Sequence, residues 1–224
     1  MAYIQRSLEK VVEQVTKEYP VVLVTGPRQV GKTTMLKKLM EGSSRGYVSL
    51  DDLNDRALAK NDPELFLQLH KPPVLIDEVQ YAPELFTYIK VYADIHQEPG
   101  AFWLTGSQVF KLMRGVQESL AGRVAVLSMT SLSQSELNGA ETEPFRVDLD
   151  DLLKRERQSK SVDTKGIFER IYQGSMPAIA SGKNSNSQIF YSSYLSTYIE
   201  RDVKELSDAI DALKFLRFMT AVAA

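Results

Sequence analysis

The 224-residue sequence contains no cysteine, which excludes disulfide bonds, thiolate metal sites and a cysteine nucleophile. Histidine is nearly absent too: His70 and His96 each follow a helical pattern, where a surface or helix-end role is ordinary. No run of about 18 apolar residues exists that could form a membrane helix. The N-terminus, MAYIQRSLEK, lacks the apolar segment of a secretory signal. We therefore expect a cytoplasmic protein with no membrane partner.

An excess of one charge is also lacking, because 27 basic and 29 acidic residues leave a formal net charge of −2. No global basic field would attract nucleic acid, so any such contact needs a local patch. Hydrophobic residues make up 43% of the chain, which is ordinary for a globular protein rather than a disordered one. The length allows one large domain, or one and a half, with a proper core.

A glycine loop between a strand pattern and a helix pattern is the most informative feature of the sequence. Residues 21–24 are all apolar, residues 25–34 read TGPRQVGKTT, and apolar residues then recur at helical spacing. The spacing G-x-x-x-x-G-K-[ST] is that of a phosphate-binding loop, or Walker A motif. Glycines let successive backbone N–H groups turn toward a phosphate, and the following helix presents its positive end to the same anion.

Each loop residue is a candidate ligand for a nucleotide. We predict that Lys32 reaches the β- and γ-phosphates of ATP and that the Thr33 hydroxyl ligates Mg²⁺. A chance turn between strand and helix is the alternative, but it leaves four matching positions unexplained. The predicted nucleotide-binding residues are Gly26, Pro27, Arg28, Gln29, Val30, Gly31, Lys32, Thr33 and Thr34.

Two adjacent carboxylates follow another apolar run, VLI, as in a Walker B motif. Asp77 is predicted to hold Mg²⁺ together with Thr33, and Glu78 to act as general base toward the attacking water. The alternative is that both carboxylates cap the following turn. Beside a Walker A motif, the hydrolytic interpretation is favoured.

The next strand pattern ends in TGSQ, at a position where a polar side chain could lie between water and the γ-phosphate. Gln108 is predicted to sense the γ-phosphate there, with Ser107 as an alternative. The competing interpretation is a simple turn in which Ser107 caps a helix. If the sensor interpretation holds, the fluorescence of Trp103, a few residues earlier, should respond to MgATP.

Phosphoryl transfer also needs a cation near the γ-phosphate oxygens, where negative charge develops. Our first choice is Arg123, acting as a finger on a neighbouring subunit, which implies a homo-oligomer. A solvated arginine at the start of a strand is an equally good interpretation. The other candidates are Arg28, Arg114 and Arg201.

Strand patterns alternate with helix patterns up to about residue 127, which is typical of a parallel sheet covered on both faces. We predict an α/β fold: a P-loop NTPase three-layer sandwich with a mainly parallel five-stranded sheet, followed by a small helical C-terminal part. Residues 1–138 form the predicted ATPase core, with an N-terminal helix over 3–19. Residues 139–165 are a charged linker, loop or exposed helix, and 166–224 the helical start of a truncated domain.

Taken together, several motifs resemble those of one family. They are GPRQVGKTT, VLIDEVQ, WLTGSQ, SLAGR, GSMP and YIERDVKEL. The chain resembles prokaryotic AAA-type ATPases in which an ATPase core precedes a C-terminal domain of unknown function with a nuclease-like fold. The resemblance covers nearly the whole chain, although the bulk of that last domain is missing from it. It implies phosphate and Mg²⁺ binding by residues 26–33, Mg²⁺ binding by Asp77, catalysis by Glu78 and sensing by Gln108.

These features favour a protein that hydrolyses MgATP to drive or switch a conformational change in an attached effector domain. The alternative is a nucleotide-dependent, DNA-associated binding module with little intrinsic hydrolysis. A small-molecule kinase fits less well because no second-substrate motif is present, and guanine specificity lacks an N-K-x-D stretch. The candidate DNA surface comprises Lys183, Lys204, Lys214, Arg217, Tyr191, Tyr194 and Phe215. A helical core with solvated lysines is the favoured interpretation of these residues.

Overall fold

The computed structural model describes residues 3–107, 112, 115–116, 119–140, 146–158, 162–198 and 211–223. At its centre is a five-stranded sheet in the order β2-β3-β4-β1-β5, with every neighbouring pair parallel. This arrangement confirms the predicted α/β class and the parallel five-stranded sheet. The strands are β1 (Val21–Thr25), β2 (Gly46–Ser49), β3 (Val74–Asp77), β4 (Phe102–Gly106) and β5 (Val124–Ser128).

The register brings the carboxyl ends of the central strands to one edge of the sheet. Thr25, the last residue of β1, pairs with Gly106 on one side and with Ser128 on the other. Asp77 ends β3 next to β4, whose Leu104 pairs with Ile76. Ligands of open parallel sheets bind outside this carboxyl edge, so the polar residues at the strand ends are placed to form a site.

Helices cover both faces of the sheet and continue after it. A 3₁₀ turn, Val79–Tyr81, follows β3 directly. The helices of the core are α1 (Leu8–Thr16), α2 (Lys32–Leu39), α3 (Leu53–Asn61), α4 (Pro63–Leu69) and α5 (Leu85–His96). Those after β5 are α6 (Gln134–Leu137), α7 (Leu149–Gln158), α8 (Thr164–Gln173), α9 (Pro177–Ala180), α10 (Ser187–Tyr198) and α11 (Ala212–Ala223).

Alternation along β1 divides the core into two apolar layers. Val21 and Leu23 pack with residues of α3, α4 and α5 on one face, whereas Val22 and Val24 pack with α1 and α2 on the other. All four side chains are fully buried because the strand lies between two helical layers. Burying a side chain of this size stabilises the fold by about 1.5–3 kcal/mol.

The predicted N-terminal helix over residues 3–19 is wrong at both ends, since α1 covers only Leu8–Thr16. At the start, side chains satisfy the backbone: the Arg6 N–H donates to Glu9 Oε1 at 2.6 Å. The Ser7 N–H likewise donates to Glu136 Oε1 at 2.7 Å. At the other end, Pro20 disfavours helical geometry in the residue before it.

The segment predicted as a charged linker or loop, residues 139–165, contains the exposed helix α7, which was the alternative interpretation. After α7, the described chain is helical, and Leu132 N–H donates to Ser175 O at 2.9 Å, which ties α8 and α9 to the core. Within the described ranges, no helix combines the length and apolar character needed to cross a bilayer.

Candidate functional site

The glycine loop occupies residues 26–31, between β1 and α2, and its backbone shape depends on residue type. Gly26 has φ 142° and Gly31 has φ 96°, both in the region that glycine tolerates best. A Cβ on Gly26 would overlap the Met129 carbonyl oxygen. Gln29 also has a left-handed φ, 62°, at an expected cost of about 1–2 kcal/mol. The loop therefore has a backbone geometry that the chain would not adopt by local preference alone.

Lys32, the first residue of α2, is buried beneath this loop. Its Nζ donates to Gly26 O at 2.9 Å and to Pro27 O at 2.8 Å. The loop carbonyls therefore enclose the ammonium group at the start of the helix. Since Gly31 precedes the helix, no side chain caps this end, and its positive pole faces the loop.

Asp77 lies at the mouth of the loop, buried at the end of β3. Its Oδ1 accepts a hydrogen bond from Thr33 Oγ1 at 2.6 Å, so the structure brings these two predicted Mg²⁺ ligands together. Oδ1 also accepts from Thr105 Oγ1, and Oδ2 accepts from the Tyr47 hydroxyl at 3.3 Å. Three hydroxyl groups from three elements thus orient one carboxylate.

Glu78 lies in a left-handed turn directly after β3, which ends at Asp77. Its φ is 58°, and its N–H donates to Thr105 Oγ1 at 3.1 Å. The carboxylate oxygen Oε2 accepts from Gln80 Nε2 and from Ser107 Oγ, the latter at 3.2 Å. The turn rotates the Glu78 side chain away from that of Asp77, so the two adjacent carboxylates have separate partners.

Sequence reasoning missed a buried arginine, Arg6, which binds a backbone carbonyl of the loop. Arg6 donates through Nη1 to Val30 O at 2.7 Å and through Nη2 to Thr130 O at 2.7 Å. Its Nε binds Glu136 Oε1 at 3.1 Å. Burial raises the pKa of Glu136, but hydrogen bonds from Ser133, Ser7 and Arg6 outweigh it, so its pKa lies below the ordinary value.

A cavity of about 1080 Å³ opens beside the loop. Its walls come from the N-terminal segment, from the loop and start of α2, and from α9 and α10. The Tyr194 hydroxyl on α10 donates to Arg28 O at 3.4 Å, a direct contact between the helical part and the loop. The residues that line it with aromatic rings are Tyr3, Phe190 and Tyr194.

Residues 18–138 match the profile of the AAA domain family AAA_14, which covers more than half of the chain. The chain belongs to this AAA domain family. Residues 164–224 match a second family, a domain of unknown function, DUF8612. The AAA assignment agrees with the resemblance drawn from the motifs, whereas the nuclease-like domain that the resemblance implies stays a prediction.

Two curated relatives of this AAA protein come from mycobacteria. They are the uncharacterized proteins Rv2008c of Mycobacterium tuberculosis and Mb2031c of Mycobacterium bovis. Each is 31% identical over 205 residues, covering 91% of this chain but 41% of the relative. The chain thus spans less than half the length of these relatives.

Among solved structures, the Walker-type ATPase PABY2304 of Pyrococcus abyssi is similar to this AAA chain. The match has a TM-score of 0.55 at 16% sequence identity, and it covers 91% of this chain and 75% of the other. At this level of identity the similarity shows a shared fold.

The structure describes only some of the remaining predicted site residues. Gln108, Arg114 and Arg201 lie outside the described residues. Arg123 precedes β5 at the amino edge of the sheet, where it forms an ion pair with Asp94. The structure does not bring Arg123 to the loop of its own chain, so a finger acting on a neighbouring copy stays a prediction.

The candidate DNA surface is divided by the structure. Tyr194 and Lys183 line the cavity beside the loop, whereas Lys214 and Arg217 are exposed on α11. Lys204 lies outside the described residues. DNA binding through this part of the AAA protein therefore stays a prediction.

Proposed function

We propose that this AAA protein binds MgATP at the glycine loop and hydrolyses it, with Glu78 as the general base. The observation that carries the proposal is the contact between Thr33, at the start of α2, and Asp77, at the end of β3. Thr33 Oγ1 lies 2.6 Å from Asp77 Oδ1, although 44 positions separate the residues in the sequence. Glu78 follows Asp77 directly and turns its carboxylate to a separate set of partners.

The residues present suit a magnesium ion. A threonine hydroxyl and a carboxylate are hard oxygen ligands of the kind that Mg²⁺ binds through one or two protein groups plus phosphates and water. Thr33 and Asp77 would hold the ion, and Thr105 and Tyr47 orient the carboxylate of Asp77. When bound, Mg²⁺ supplies charge neutralisation at the phosphate oxygens.

Lys32 and the loop backbone would hold the phosphates. The Lys32 ammonium now donates to two neutral carbonyl oxygens, those of Gly26 and Pro27. A phosphate oxygen carries a negative charge and a carbonyl oxygen carries none, so an arriving triphosphate would compete for this ammonium. The positive end of α2 adds a second attraction at the same point.

Glu78 would accept the proton of the water that attacks the γ-phosphate. Its carboxylate lies one residue beyond Asp77, so base and metal ligand follow each other along the chain. In-line attack by water needs such an acceptor held close to the phosphate. An arginine from a neighbouring copy, with Arg123 as the predicted residue, would stabilise the charge that develops on the phosphate oxygens.

The nucleoside would occupy the cavity beside the loop and link hydrolysis to movement. Helices α9 and α10 form one wall, so a bound nucleotide would touch the ATPase core and the helical part together. The Tyr194–Arg28 contact joins the same two parts directly. Loss of the γ-phosphate would change the contact between the nucleotide and helices α9 and α10, and also the contact between Tyr194 and Arg28. We propose that this change drives or switches an attached effector domain.

The test is the affinity for ATP of Lys32→Ala, measured by calorimetry with Mg²⁺ present. We expect at least a roughly hundredfold loss, because a desolvated charge-assisted contact to phosphate disappears. Lys38→Ala is the matched control, since Lys38 is an exposed lysine near the other end of the same helix. Equal affinity of Lys32→Ala and the wild type would refute phosphate binding at the loop.

A further inference from the structure

Gln80, in the 3₁₀ turn after β3, uses a buried amide group in an unusual way. The side chain is 7% exposed, and its Nε2 donates to Glu78 Oε2 and to Ser107 Oγ, the latter at 3.4 Å. Its carbonyl oxygen, Oε1, is buried and has no hydrogen-bond partner among the residues that the structure describes. The amide thus serves one carboxylate and leaves its own acceptor unsatisfied.

This arrangement is costly for the fold. A buried acceptor without a partner destabilises the folded state, and an apolar side chain of the same shape would avoid that loss. Exchanging the two amide atoms offers no relief, because the carbonyl oxygen would then face the carboxylate of Glu78. Unsatisfied buried groups of this kind call for an explanation other than stability.

The contacts of Glu78 provide that explanation. Its Oε2 accepts both side-chain donors, Gln80 Nε2 and Ser107 Oγ, whereas its Oε1 has no hydrogen bond among the described residues. The backbone is fixed as well, because the left-handed Glu78 donates its N–H to Thr105 Oγ1. One carboxylate oxygen is therefore anchored, and the other is left to accept a proton.

We propose that Gln80 is a positioning residue for the general base: it binds Oε2 of Glu78 so that Oε1 faces the attacking water. This inference rests on the proposed function, since it assigns a role within the same hydrolysis. Ser107 contributes the second donor, at the longer distance of 3.2 Å. Gln80 is expected to act on the chemical step and not on nucleotide binding.

The experiment compares steady-state ATP hydrolysis and thermal unfolding of the wild type and Gln80→Met, which keeps the unbranched shape and removes the donor. We expect kcat to fall roughly tenfold to a hundredfold, as misplacement of a catalytic group does, while KM for MgATP stays within about twofold. The melting temperature should stay equal or rise, because the unsatisfied carbonyl is gone.

Three further variants make the result specific. Gln80→Leu repeats the test with a different apolar shape, Ser107→Ala should lower kcat less, and Gln68→Leu alters an exposed glutamine on α4 as a control. Unchanged kcat in the two Gln80 variants, or a loss of kcat that merely follows a loss of melting temperature, would overturn the inference. If the wild type shows no turnover, the proposed function fails first. If the wild type is active and Gln80→Met matches it, this inference alone fails.

Discussion

The two ends of the central sheet differ in how the hydrogen bonds of their polar groups are satisfied. At the amino end, Arg45 stacks on Trp103 at 4.0 Å and donates to Gly100 O at 2.8 Å. The indole Nε1 of Trp103 in turn donates to Thr16 Oγ1 at 3.0 Å. We call these four residues the amino-end clasp, and each of its polar contacts joins segments far apart in the chain.

At the carboxyl end, the structure tolerates strain and unsatisfied groups. Gln29 and Glu78 adopt left-handed backbone conformations, and the third such non-glycine residue among those described, Gln97, ends helix α5. Within the described ranges, the buried atoms Thr25 Oγ1 and Gln80 Oε1 have no hydrogen-bond partner. Such features are retained where a particular geometry is needed more than stability. One end of the sheet thus stabilises the fold, whereas the other keeps a strained geometry that the proposed hydrolysis would use.

The largest effect on stability is expected at a buried ion pair near the carboxyl end, that of Arg6 and Glu136. Glu136→Gln leaves the Arg6 guanidinium without its counter-charge, which should cost roughly 3 kcal/mol in the free energy of unfolding near neutral pH. ATP affinity should fall too, because Arg6 holds the loop through Val30 O. Denaturant unfolding and calorimetry measure the two effects.

The pH dependence of this variant gives a sharper test. The pKa of Glu136 is lower in the folded protein than in the unfolded chain, where it is near 4.5. The contribution of this carboxylate to the free energy of unfolding is therefore fully present above pH 4.5, and it is lost as the pH falls through the lower pKa of the folded state. The difference in the free energy of unfolding between the wild type and Glu136→Gln should therefore become smaller below about pH 4.5. Glu169→Gln, at an exposed ion pair on α8, is the control and should change little. A difference in unfolding free energy that does not depend on pH would contradict a stabilising ion pair between Arg6 and Glu136.

A smaller effect, confined to stability, is expected at the amino-end clasp. Burial lowers the pKa of Arg45 to about 10, so the group is still charged at neutral pH. Arg45→Met should cost about 2 kcal/mol, because the Gly100 carbonyl loses its donor and Trp103 its cation. The measurement pairs denaturant unfolding with ATP turnover of the folded variant. A loss of kcat comparable to that of Gln80→Met would contradict the claim that the amino-end clasp acts on stability alone.

The smallest expected effect is on the fluorescence of Trp103. The sequence predicted a response to MgATP because Trp103 is close to Gln108 in the chain. In the sheet, however, Trp103 pairs with Val22 and Leu75 near the starts of their strands and packs against Arg45. We now expect MgATP to leave the emission unchanged and Arg45→Met to shift it. A clear response to MgATP would show that the two ends are coupled.

Features that depend on local patterns could be predicted from the sequence. The five strands follow from apolar runs bounded by turn residues, and the loop follows from glycine spacing. The placement of Thr33 and Asp77 at one edge follows from the rule that parallel strands end together. These inferences need only the identity of neighbours along the chain.

The remaining features depend on contacts between distant residues. Arg6 and Glu136 are 130 positions apart, and no sequence pattern pairs them. The hydroxyl groups of Thr105 and Tyr47 act on Asp77 only because the strand order places β3 between β4 and β2. Gln80 was visible in the motif VLIDEVQ, but its role depends on a left-handed backbone at Glu78 that sequence alone does not indicate.

The most direct test of the account is a paired measurement on Glu78→Gln: the Kd for MgATP and the turnover number under the same conditions. The variant should bind MgATP as the wild type does, because Glu78 is not assigned to the phosphates or to Mg²⁺. Its kcat should fall by roughly a hundredfold to ten-thousandfold, the usual loss when a general base is removed. Turnover equal to that of the wild type would remove Glu78 from the mechanism and contradict the claim that this end of the sheet is a hydrolytic site.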